Sequence, residues 1–89
     1  MAIHASHPDI IKRLKRLEGH LRAVIEMLQE QRPCADIAQQ MQAIESAVTK
    51  AKKALIHDHI DHCLQRVVGG SARTSRESVE QFRDITKYL

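Results

Sequence analysis

The sequence predicts an all-α protein, a three-helix subunit in which two long helices form a hairpin and a short third helix follows. Three observations carry this expectation. Apolar residues recur in alternating steps of four and three from Ile10 to Leu28 and again from Ile37 to Leu55, the spacing of a seam between packed helices. Pro33 and the pair Gly69 and Gly70 stand where those patterns stop. No stretch shows the alternation of a half-buried strand, and neither a repeat nor a low-complexity segment occurs.

Each element follows from local chemistry. Helix 1 presents Ile10, Leu14, Leu17, Leu21, Val24 and Leu28 on its seam. Ser6, Pro8 and Asp9 suit its start, because a hydroxyl can cap free amides and proline needs no donor in a first turn. Helix 2 continues with Ile37, Met41, Ile44, Val48, Ala51 and Leu55 and runs on through His59 and Cys63 until the two glycines stop it. In helix 3, Thr74 and Glu77 form a capping box and Val79, Phe82, Ile85 and Leu89 an apolar face. Folding helix 1 back along helix 2 at residues 29–33 sets Leu28 near Ile37, Ile10 near Leu55 and His7 near His59.

Residues 1–89 make one small domain. A core of this size contributes only a few kcal/mol, so association with further copies is expected. Two cysteines are too few for a disulfide framework, and the opening MAIHASHPD lacks the apolar run of a secretory signal. A cytoplasmic location with reduced thiols is the expectation. No segment approaches the roughly 20 apolar residues that cross a bilayer, which argues against a membrane partner.

Cys34, His59 and Cys63 are the candidate metal ligands. His59 and Cys63, four apart, stack on one helix face and can grip one ion. Cys34 opens the same helix, roughly 37 Å from His59 at about 1.5 Å per residue, so one chain cannot bridge them. An antiparallel second copy would set Cys34 of one chain beside His59 and Cys63 of the other, with two equivalent sites about a two-fold axis near Val48. Two soft sulfurs and a neutral imidazole suit Cu(I) or Zn(II). The helix N-terminus favours the Cys34 thiolate, which aids metal capture and attack on electrophiles alike. His4 and His7 come within reach of this site as additional ligands, as does His62, with Asp58 and Asp61 available to orient imidazoles. His57 points away from the pair, and His20 sits among charges with no assigned role.

The net charge is only +3, yet Lys12, Arg13, Lys15 and Arg16 crowd one stretch and Lys50, Lys52 and Lys53 another. Arg13 and Arg16 share a face of helix 1, and Lys50 and Lys53 share one on helix 2. Together they suit phosphate contacts to double-stranded DNA. With Phe82 and Tyr88 the only aromatic residues, no stacking platform for single strands exists. There is no Ser/His/Asp set, phosphate-binding glycine loop or HExxH motif, so an enzyme is not expected. A metal-carrying helical adaptor without DNA binding is the reading from a different class.

The segments RLKRLEGHLRAVIEML, RPCADIAQQMQAIESAV and LIHDHIDHCL together resemble the CsoR/RcnR family of bacterial metal-responsive repressors, over nearly the whole chain. The resemblance implies an all-α antiparallel dimer that assembles into a tetramer, a dimer of dimers. Such a repressor holds operator DNA when free of effector and releases it on binding metal. It places the ligands of the copper-sensing branch on Cys34, His59 and Cys63, and DNA contacts on Arg13, Arg16 and Lys50. The chain departs from the copper pattern at Pro33, where a tyrosine is often found, and at the helix 3 glutamate, whose position falls on Val79 with Glu80 adjacent. A nickel and cobalt branch adds an N-terminal histidine, for which His4 or His7 would serve Ni(II) or Co(II). A formaldehyde-sensing branch carries proline where this chain has Ala2. A persulfide-sensing branch lacks the histidine that is His59 here.

Overall fold

The computed structural model describes residues 6–89, the Val67 side chain excepted. The elements are α1 (His7–Gln29), α2 (Cys34–Gly69), α3 (Ala72–Ile85) and a closing 3-10 turn (Thr86–Tyr88), with no strand among the described residues. The chain divides into two compact units, one of residues 8–52 and one of residues 53–89 with Ser6 and His7. No described helix is long and apolar enough to cross a membrane.

In the unit of residues 8–52, α1 ends by a left-handed residue. Gln31 takes φ 56°, the Arg32 amide donates to the Met27 carbonyl over 3.0 Å, and the Gln31 amide donates to Leu28 over 3.1 Å. This pair of bonds satisfies carbonyls that the helix end would otherwise leave open. Pro33 then starts α2, its carbonyl accepting from the Asp36 and Ile37 amides over 3.0 and 3.2 Å. Cys34 is thereby the first residue of α2.

Burial shows how far the seams close. Ile10, Leu17 and Val24, one every seven residues, are buried on α1, and Ile37 and Ala51 on α2. The other seam residues, Leu14, Leu21 and Leu28, stay 46 to 57% exposed, and Ile11, Ile25, Met41 and Val48 are exposed as well. A two-helix hairpin covers one line of each seam and leaves the other open.

In the unit of residues 53–89, Ile56 and Cys63 are buried on α2. Gly70 makes the turn into α3, since a Cβ there would lie 2.5 Å from the Arg66 carbonyl oxygen. The α3 cap is Ser71, not the expected Thr74, and the Thr74 amide donates to the Ser71 hydroxyl over 3.2 Å. The helix therefore begins one turn earlier than the capping box implied, and Glu77 pairs with Arg73 at 3.4 Å instead. The expected apolar face is also displaced. Val79, Phe82 and Leu89 are exposed, and the residue that α3 buries is Ser78. Ser78 shares a cavity with Cys63 and Leu64 of α2, and its small side chain lets the helices approach closely. Ser6 closes the unit by donating its hydroxyl to the Asp58 carboxylate over 2.7 Å.

Candidate functional site

The expected metal ligands occupy three settings. Cys34 is exposed in the first turn of α2. His59 is half-buried and Cys63 is 1% exposed, one helical turn further along α2. Both face α3. His59 lines an open cavity of about 230 Å³ with Gln81, Asp84, Ile85 and Tyr88. Cys63 lines a cavity of about 160 Å³ with Leu64, Ser78, Val79 and Phe82. Burial pushes the Cys63 thiol above its ordinary range, with the Arg66 guanidinium pulling partly the other way.

Among the other candidates, His62 is half-buried beside Cys63, and His57 is exposed. Asp58, expected to orient an imidazole, accepts the Ser6 hydroxyl. That bond holds the residue before His7 against the residue before His59, in line with the hairpin expectation. His4 lies outside the described residues. No three His, Cys, Asp or Glu side chains of the described residues are grouped to hold a metal ion. The donor chemistry nevertheless fits a soft metal, since thiol and imidazole stand one turn apart on a single face.

The resemblance puts the helix 3 glutamate position at Val79, with Glu80 next to it. The side chains that share the His59 cavity include Gln81, Asp84 and Tyr88. Val79 turns toward Cys63 and Phe82.

The basic residues of α1 gather in the other unit. Asp9, Lys12, Arg13, Arg16, Leu17 and His20, with Ala47 from α2, line an open cleft of about 420 Å³. Arg13 Nε donates to the Asp9 carboxylate over 3.1 Å. His20 Nε2 donates to Gln40 Oε1 over 2.8 Å, joining α1 to α2 beside the basic groups. Lys50 and Lys53 are exposed on α2 and do not line this cleft. Sequence reasoning leaves His20 without a role. The signal it passed over is helical spacing, because Lys12, Arg16 and His20 follow one another at four-residue steps.

Residues 6–88 match the family described as metal-sensitive transcriptional repressor. The chain belongs to that family. Its members are repressors of transcription and not enzymes. The copper-sensing transcriptional repressor CsoR of Bacillus subtilis (strain 168) is 32% identical over 81 residues, covering 89% of this chain and 80% of that protein. CsoR of Mycobacterium tuberculosis (strain ATCC 25618 / H37Rv) is 28% identical over 79 residues, covering 88% of this chain and 64% of the relative, so this repressor spans less than two thirds of it. In fold, the repressor is similar to the nickel-responsive transcriptional regulator InrS, with a TM-score of 0.82, 25% identity, and 98% and 96% of the two chains covered.

Proposed function

We propose that this repressor senses Cu(I) through Cys34, His59 and Cys63 and that metal binding releases it from operator DNA. The observation that carries the reading is the donor set. Cys63 and His59 share one face of α2, and a second, exposed thiol stands at the start of the same helix. Two thiolates and an imidazole satisfy three-coordinate Cu(I), and the copper-sensing names of the CsoR relatives support that choice over Zn(II).

Completing the site takes a second copy. In an antiparallel dimer Cys34 of one protomer meets His59 and Cys63 of the other. The uncovered apolar line of α1, with Met41 and Val48 on α2, supports burial against such a partner and further pairing into a tetramer. We assign phosphate contacts with the operator duplex to Arg13, Arg16, Lys50 and Lys53, the first two in the cleft of α1. Residues 1–89 then act as one cytoplasmic metal-sensing and DNA-binding domain. Release requires tighter metal binding to the DNA-incompetent state, with a coupling of about 1 to 3 kcal/mol.

A second reading, Ni(II) or Co(II) sensing with added nitrogen donors from His4, His7 or His62, is favoured by the likeness to InrS and by the Ser6 bond to Asp58. Metal competition titrations and gel shifts on the Cys34→Ala variant test the proposal. Operator binding should persist while release by Cu(I) is lost. Release that survives the substitution refutes the assignment, and wild-type protein that responds to Ni(II) but not Cu(I) selects the second reading.

A further inference from the structure

Ser78 is 0% exposed, and among the described residues its Oγ is the buried side-chain oxygen or nitrogen without a hydrogen-bond partner. A stranded hydroxyl is unfavourable, and serines in helices ordinarily return theirs to a carbonyl one turn back. Alanine would fill the same space without leaving a donor unused. Buried orphans of this kind call for a functional explanation.

The surroundings supply one. Ser78 lines the same cavity as Cys63, and the remaining lining residues, Leu64, Val79 and Phe82, are apolar. The Cys63 sulfur is the polar group available there, itself only 1% exposed. No hydrogen bond joins the two side chains in this structure, and a neutral thiol is a poor acceptor. A thiolate is a strong one, and charge-assisted bonds in a dry setting are among the strongest a side chain makes.

We propose that Ser78 is a positioning residue for the metal centre, holding a hydroxyl in reserve that donates to the Cys63 sulfur when that sulfur carries metal. This rests on the reading of Cys63 as a ligand. With metal held at Cys63, the sulfur would offer the acceptor that the Ser78 hydroxyl otherwise lacks, and a hydrogen bond between the two would form. The bond orients the sulfur, draws off part of its charge and favours the loaded state. The apo protein carries the unfavourable orphan, so the gain appears on loading alone.

The test uses the full chain as wild type, Ser78→Ala, Ser78→Thr and Cys63→Ala, titrated with Cu(I) against a chromophoric chelator and followed in the near-ultraviolet sulfur-to-copper band. Ser78→Ala is expected to weaken Cu(I) binding about tenfold and move the band to longer wavelength, while leaving the apo melting temperature unchanged or higher. Ser78→Thr keeps the hydroxyl, has the adjacent cavity for its methyl group, and should restore affinity and band. Wild-type affinity and band in Ser78→Ala overturn the proposal. So does a lowered apo melting temperature in that variant, which would mark a purely structural serine. Cu(I) binding that survives Cys63→Ala overturns instead the ligand assignment beneath it.

Discussion

His20 donates from Nε2 to Gln40 Oε1 over 2.8 Å, and the same imidazole lines the basic cleft of α1. The bond is a side-chain tie between the two helices of that unit. Replacing Gln40 with Leu removes the acceptor and leaves the imidazole without its partner. We expect a loss of about 1 kcal/mol in stability, and a severalfold fall in operator affinity with Cu(I) affinity unchanged. Urea denaturation and fluorescence anisotropy on the same preparations check both.

The cleft also contains its own competitor. Asp9 holds Arg13 at 3.1 Å, so a phosphate entering the cleft must displace or tolerate that carboxylate. Asp9→Asn should therefore raise operator affinity, whereas Arg16→Ala should lower it and reduce the slope of log affinity against log salt by about one. A series of binding isotherms from low to moderate salt separates these signs. Equal slopes in Arg16→Ala and wild type would remove Arg16 from the phosphate-binding surface.

The two long helices were legible because four-and-three spacing, Pro33 and the glycine pair all speak about local structure. His59 and Cys63 were legible as a pair for the same reason, since the helix repeat alone brings them onto one face. What escaped depended on approach between elements. Hydropathy favoured Val79 and Phe82 for the buried side of α3, whereas close packing selects by size and chose Ser78. The cap fell to Ser71, whose hydroxyl accepts from the Thr74 amide, one turn before the Thr74 and Glu77 pair that the sequence pattern favoured. His20 was read from its charged neighbours in sequence, but its partner lies on the other helix.

The two thiols should differ in reactivity. Cys34 is exposed and Cys63 buried with its thiol pushed up in pKa, so in apo protein an aromatic disulfide reagent should modify one cysteine per chain rapidly and the second slowly. The sign follows from protonation. A raised pKa lowers the thiolate fraction at any given pH, so the slow rate should climb about tenfold per unit of pH. It should continue climbing beyond the ordinary thiol value of 9.0. Arg66→Ala removes the cation that partly offsets burial and should slow Cys63 further. Cys34→Ala should lose the fast phase alone. Two equal phases would contradict the burial difference.

Whether the site crosses protomers can be decided without a structure of the assembly. Cys34→Ala and Cys63→Ala should each abolish tight Cu(I) binding as homo-oligomers, because each strips one sulfur from every site. Mixing the two by co-expression or by refolding together changes the outcome only if ligands come from different chains. In a mixed antiparallel dimer one site lacks both sulfurs, while the other takes Cys34 from the Cys63→Ala chain and Cys63 from the Cys34→Ala chain and is whole. Purified mixed dimers should therefore bind one Cu(I) per dimer at near wild-type affinity. A site built within one chain would be damaged in both protomers and would recover nothing. Tandem affinity tags isolate the mixed species, and metal-to-protein stoichiometry reads the answer. A Leu21→Glu substitution on the uncovered line of α1, which should prevent pairing, provides the control. It should abolish tight Cu(I) binding while leaving helix content intact by circular dichroism.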